Sequence, residues 1–378
     1  MLDNILGVPG FLISYILPFV LVLSLIVFVH EMGHYLAGRW SGIRILAFSI
    51  GFGPEIAGFT DRHGTRWKLS AIPLGGYVRF FGDEDAASKP DQEGLAAMTD
   101  EERARSFSGA KLWKRAVTVA AGPIANFIFA ILVFAVMFTL YGKPVADPVV
   151  ADVQPGSAAQ AAGIVPGDRF VSIDGVHIST FDDIRRYVSV RPGITMSVVL
   201  ERDGREITVP LTPKLQEMTD RFGNKAEVGL IGVITNEQVG KFRTESFGPV
   251  AAVGAAVQQC WHIVTGTFDY ISNIVTGRMK ADQLGGPIRV AQASGQMATL
   301  GVAALLQLAA VLSVSIGLLN LMPVPVLDGG HLLFYGVEAL RGKPIGGRTQ
   351  EIAFRIGLVM VLMLMLFSTW NDLSSLVG

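Results

Sequence analysis

Four stretches of this chain stay apolar for about the length of a membrane span, which needs roughly 20 such residues. Residues 11–29 carry no charge. Residues 116–141 begin just after Lys114 and Arg115 and reach Tyr141 without another charge. Residues 300–322 are uncharged, and residues 356–370 form the shortest run, with its span expected to start near Ile352. Between these runs the pattern changes. Residues 48–82 alternate like strands, as in Trp67-Lys68-Leu69-Ser70 and Tyr77-Val78-Arg79-Phe80, with glycine breaks between them. Residues 149–213 read as water-soluble α/β material, with a helix over 180–190 and a hairpin turn at Asp203-Gly204. In residues 247–275, Val250, Val253, Val257, Cys260 or Trp261, Val264, Phe268, Ile271 and Val275 recur at steps of three and four. That stripe predicts an amphipathic helix that lies on a membrane surface or packs on the spans.

Composition sharpens this picture. The chain has 378 residues, 50% apolar and only 17% charged, with a mean hydropathy of +0.45. A soluble domain averages about 25% charged residues. Net charge is −1, so no strong positive field holds a nucleic-acid backbone, and nucleic acid is not an expected partner. The single cysteine, Cys260, rules out an internal disulfide and the usual structural zinc sites. The apolar start lacks a basic leader, having Asp3 and no Lys or Arg before it, so it is expected to be a span rather than a cleaved signal. Eleven basic residues fall in 42–115, with Lys111, Lys114 and Arg115 beside the second span, and Arg341, Lys343 and Arg348 fall between the last two. Residues 1–10 and 371–378 have none. Positive loops stay in the cytoplasm, so both termini and the 149–213 region are expected outside.

The chemistry concentrates in His30-Glu31-Met32-Gly33-His34, an HExxH motif. On a helix, positions four apart share a face, so both imidazoles can hold one Zn²⁺ while the glutamate takes a proton from water. The motif directly continues an apolar run, where three ionisable groups are costly unless they pair or bind something. A catalytic zinc needs a third ligand and one open position. Asp328 is the candidate, in Asn320-Leu321-Met322-Pro323-Val324-Pro325-Val326-Leu327-Asp328-Gly329-Gly330-His331, where two prolines break a span. The alternatives are Asp328 as a helix N-cap and His331 as the ligand. His63, His177 and His262 read as solvated or structural.

Two resemblances follow. Pro155-Gly156-Ser157-Ala158-Ala159, Ala162-Gly163, Pro166-Gly167-Asp168 and Ile173-Asp174-Gly175 resemble a bacterial PDZ domain, which binds extended peptide ends by strand addition. Gly229-Leu230-Ile231-Gly232 is a candidate carboxylate-binding loop for it. His30–His34, Asn320–Gly330, Gly122-Pro123-Ile124-Ala125-Asn126, and Phe48–Pro54 with Leu74-Gly75-Gly76-Tyr77-Val78 together resemble the site-2 protease family of intramembrane zinc metalloproteases. Within it the chain looks nearest the bacterial regulator-of-sigma-E branch, except that one PDZ-like domain is seen where that branch also has two.

The resemblance implies His30, His34 and Asp328 as zinc ligands and Glu31 as the base. Asn320, Pro323, Gly75 and Gly76 would hold an unwound substrate strand, and Asn126 would support the site. It also implies a hairpin dipping into the membrane. The substrate would be a single-span membrane protein already cut outside, such as an anti-sigma factor.

The expected architecture is a multi-pass α-helical membrane protein of about four spans, with a membrane-associated β hairpin and one extracytoplasmic PDZ-like α/β domain. Its segments are 1–40, 41–115, 116–141, 149–213, 214–299, 300–330 and 331–378. The expected place is the bacterial inner membrane, with the lipid bilayer as partner and the active site near its cytoplasmic side. A membrane metal hydrolase with a non-peptide substrate, a metal transporter and a non-enzymatic PDZ adaptor are the other readings. An intact Glu31 argues against the last two, since binding alone needs no base.

Overall fold

A computed structural model of the chain describes residues 12–82, 98–219, 225–235, 243–279, 281 and 285–377. The expected outer N-terminal end, residues 1–10, lies outside the described residues. The elements run α1 (Leu17–Trp40), β1 (Ile45–Thr60), β2 (Arg66–Phe80), α2 (Asp100–Arg105) and α3 (Leu112–Tyr141). Next come β3 (Lys143–Val145), β4 (Asp152–Val153), α4 (Ala158–Ala161), β5 (Arg169–Ile173), β6 (Val176–His177) and α5 (Phe181–Ser189). They continue with β7 (Met196–Arg202), β8 (Arg205–Leu211), β9 (Lys214–Thr219), β10 (Lys225–Leu230), β11 (Val233–Ile234) and β12 (Arg243–Glu245). The helices α6 (Pro249–Val275), α7 (Pro287–Thr299), α8 (Val302–Asn320), α9 (Asp328–Arg341) and α10 (Gly347–Val377) complete the chain. It divides into two units, Met1–Phe134 with Gly285–Gly378, and Ala135–Leu284.

Four helical stretches are long and apolar enough to cross a membrane: Ile13–Trp40, Leu112–Tyr141, Val302–Asn320 and Gly347–Ser374. Three start or end several residues away from the apolar runs. Helical hydrogen bonding continues where hydropathy stops, so α1 carries His30, Glu31 and His34 into its last turns. Only 6% of the most apolar window of the last span is buried, and its leucines and methionines lie open. Such a surface fits lipid rather than water.

In the first unit β1 and β2 pair antiparallel with a doubled register. Phe48 and Ile50 pair with Val78 and Gly76, and also with Trp67 and Leu69. The Gly76–Phe80 stretch therefore has β1 on one side. Asp61, in the turn between the strands, accepts from Tyr35 Oη and Trp67 Nε1 and from the backbone of His63 and Thr65. Burial alone would raise its pKa, but these four donors outweigh it and hold it at about 2. This carboxylate ties the turn to α1 through Tyr35. Tyr35, Phe48, Val78 and Phe80 form the core beneath.

In the second unit a four-stranded sheet, ordered β6-β5-β7-β8, packs Phe170, Ile173, Val198 and Leu200 against Ile184 of α5. Asp203 and Gly204 both have positive φ (51° and 74°), as a two-residue hairpin turn requires, and join β7 to β8 as the sequence predicts. Helix α6 exposes Val250, Val253, Val257, Trp261 and Phe268, much of the expected stripe.

Candidate metal centre

His30 and His34 lie one helical turn apart on α1, and their Nε2 atoms are 3.2 Å apart. Asp328 is the first residue of α9, and its Oδ2 lies 3.2 Å from His30 Nε2 and 3.5 Å from His34 Nε2. It is not the N-cap of α9; Leu327 holds that position, with no side-chain cap. The Leu321–Leu327 break, with Pro323 and Pro325, makes this possible. It ends α8 and starts a new helix whose first side chain faces α1. The three side chains are nearly buried, at 12%, 12% and 16% exposure.

This triangle suits a metal. In a tetrahedral zinc site with bonds of about 2.0–2.1 Å, ligand atoms sit about 3.3–3.4 Å apart, close to the three separations here. Asp328 Oδ2 is buried and makes no hydrogen bond, so a cation would supply what it lacks. His34 Nδ1 lies 2.9 Å from the Thr118 carbonyl, which can only accept. The ring proton therefore sits on Nδ1 and leaves the Nε2 lone pair for a ligand bond. Asn126, fully buried, approaches His30 Nδ1 at 3.3 Å. Both supports come from α3, which packs close because of glycine. A Cβ on Gly33 would overlap the Ala121 carbonyl, and one on Gly122 would overlap the His34 ring.

A cavity of about 240 Å³ opens on this cluster, lined by Glu31, Gly76, Val78, Asn320 and His331 among others. The Val78 backbone N–H donates to the Glu31 carboxylate. A Cβ on Gly76 would press on Glu31 Cγ and overlap the Ser49 carbonyl, so glycine lets the strand lie against α1.

The structure thus gathers His30, Glu31, His34, Asp328, Asn320 and Gly76 around one cavity, with Asn126 behind it. Pro323 and Gly75 do not line it. Pro323 lies in the helix break, and Gly75 has a φ of +100° and packs under Phe52. His63 and His177 are exposed, and His262 is half-buried on α6. Thr118 and Val78 act through backbone atoms, which side-chain identity does not reveal.

Apolar spans around an HExxH helix and a distant aspartate define a multi-pass membrane metalloprotease. Residues 18–364 match the family described as Peptidase family M50, and the chain belongs to that family of site-2-type zinc metalloproteases. Atu1380 of Agrobacterium fabrum, named as a zinc metalloprotease, is 66% identical over 377 residues and covers 100% of each chain. R01501 of Rhizobium meliloti, named likewise, is 65% identical over 367 residues, 97% of this chain and 98% of its own. Metalloprotease MmpA of Caulobacter vibrioides is 40% identical over 387 residues, 97% of this chain and 96% of its own. Among solved structures, the PDZ domain of an SdrC-like protein from Listeria monocytogenes covers 25% of this chain and 86% of its own, at 17% identity and a TM-score of 0.19. That likeness is too slight to carry an argument.

Proposed function

We propose that this zinc metalloprotease cuts the transmembrane segment of a single-span membrane protein after a first cut outside, the substrate being of the anti-sigma-factor kind. The carrying observation is the His30–His34–Asp328 triangle beside Glu31, at the end of an apolar span and facing the edge strand Gly76–Phe80. His30, His34 and Asp328 would hold Zn²⁺. When bound, the ion would polarise the scissile carbonyl and bring water toward neutral-pH ionisation.

The chain's own residues do the rest. Glu31 takes the proton from the attacking water and passes it to the departing amide nitrogen. Thr118 and Asn126 hold the two rings from α3. With Nε2 of His30 given to the ion, Nδ1 carries the proton, and the Asn126 amide, whose Nδ2 now lies 3.3 Å from Nδ1, turns over so that its unpartnered Oδ1 accepts that proton. Apart from the Val78 N–H that Glu31 engages, the edge of Gly76–Phe80 turned away from β1 would offer backbone partners to an unwound substrate strand, with Asn320 lining the same cavity. Gly75 permits the turn into that strand, and Pro323 keeps α8 from continuing through the site.

Lysines and arginines beside α3 and between α9 and α10 favour a cytoplasmic position for the 42–115 and 323–353 segments. Both termini and residues 149–213 would then be periplasmic. The latter act as a PDZ-like module that excludes untrimmed substrates, bind new peptide ends, or do both.

The purified enzyme in liposomes, given a single-span substrate with its outer domain removed, tests this reading. Mass spectrometry should map cleavage inside the span. A zinc chelator should abolish it and added Zn²⁺ should restore it. Cleavage confined to the aqueous flanks, or full activity in chelator, would overturn the proposal.

A further inference from the structure

We propose that His331 is a catalytic residue whose ring N–H donates to the scissile carbonyl oxygen as that oxygen takes on negative charge. This rests on the reading of Glu31 as the base and the cavity as the peptide site.

His331 stands one turn beyond Asp328 on α9, so the two share a face. It lines the same cavity as Glu31 and Asn320. It does not belong to the group of ligand atoms within 4.8 Å of one another, which is His30, His34 and Asp328 among the described residues. It is therefore not a fourth ligand. Its ring is held between aromatic neighbours, with centroids 5.2 Å from Phe354 and 6.4 Å from Tyr335. Among the described residues that ring makes no hydrogen bond; only its backbone N–H is engaged, by the Leu327 carbonyl. The ring is part-buried and lines the cavity, so a donor on it can meet a substrate oxygen there.

The reaction needs such a donor. Water oxygen bonds to the carbonyl carbon, the π pair moves onto the carbonyl oxygen, and Glu31 takes the water proton. As the pair returns, the C–N bond breaks and that proton goes to the nitrogen, leaving a carboxylic acid and an amine. A neutral imidazole always carries one N–H, so His331 can stabilise the oxygen without gaining or losing a proton. Removing one such donor typically costs about 10²–10³-fold in kcat.

Two variants separate this role from packing. His331→Phe keeps an aromatic ring between Tyr335 and Phe354 but has no donor, whereas His331→Gln keeps a donor and loses the ring. The full-length enzyme is measured for zinc content, kcat, KM, and affinity for a peptide phosphonate, whose oxygens mimic the charged tetrahedral carbon. We expect His331→Phe to keep its zinc and its KM, lose about 10²–10³-fold in kcat, and bind the phosphonate weaker by a similar factor. His331→Gln should recover at least about tenfold of that loss. Normal kcat in His331→Phe, loss of zinc from it, or a better Phe than Gln variant would overturn the inference. Should His331→Phe fail to fold, His331→Leu against His331→Gln makes the same comparison. Glu31→Gln, assayed in parallel, isolates the failure: if it is inactive while His331→Phe is not, only the role of His331 falls.

Discussion

Single residues decide how close the side chains of the candidate metal centre come. Gly122 is the sharpest case, since a methyl group there would overlap the His34 ring. Glycine to alanine inside a helix normally gains about 0.5–1 kcal/mol in helix stability. Here the expected sign for the site is opposite: Gly122→Ala should weaken zinc retention at least about tenfold, as loss of a ligand's support commonly does. Zinc titration of the purified variant checks this, and unchanged affinity would mean that the ring has room to move. His30, Glu31 and His34 were legible because their spacing alone puts two rings on one helix face. Asp328 was legible only as a candidate. Its 294-residue separation from His34 is bridged by tertiary packing, and sequence spacing left an N-cap role for Asp328 and His331 as a rival ligand open. Thr118 was not legible at all, because it serves through its carbonyl.

At the scale of elements, the question is what keeps α9 in register with α1 and α3, since α9 hangs from α8 by a proline-broken segment. Arg115, near the start of α3, reaches across 223 residues to Glu338 on α9 at 2.5 Å. Both side chains are only 16% exposed, and the guanidinium also lies 5.0 Å from the Tyr335 ring centre. This pair ties the helix that supports both histidines to the helix that carries Asp328. Removing one partner strands a largely buried charge, at a cost of about 3 kcal/mol, whereas an apolar pair of similar volume is often tolerated. Glu338→Ala should therefore lower thermal stability and zinc affinity together, and Arg115→Met with Glu338→Leu should recover both. Thermal unfolding in detergent with and without zinc reads this out; a harmless single variant would show that α9 is fixed by other contacts. The hairpin was legible as alternation with glycine breaks. Its doubled register was not, because one β1 segment pairs with two parts of β2, and alternation specifies a face but not the number of neighbours.

For the whole molecule, hydropathy located four candidate spans, and three of their helices run beyond the apolar stretches; in α1 this is because His30, Glu31 and His34 interrupt the hydropathy but not the helix. The turn pattern of residues 149–213 anticipated the β7–β8 hairpin and α5, since positive-φ positions and capping residues act locally. The sequence pattern, the metal-suited triangle and membership of the M50 family converge on one central claim: Glu31 drives peptide hydrolysis at a metal held by His30, His34 and Asp328. Purified wild type and Glu31→Gln, compared for bound zinc and for cleavage of a pre-trimmed single-span substrate, test it most directly. Equal zinc content with cleavage reduced by at least about 10²-fold in the variant is the predicted result; cleavage by Glu31→Gln at the wild-type rate would contradict it.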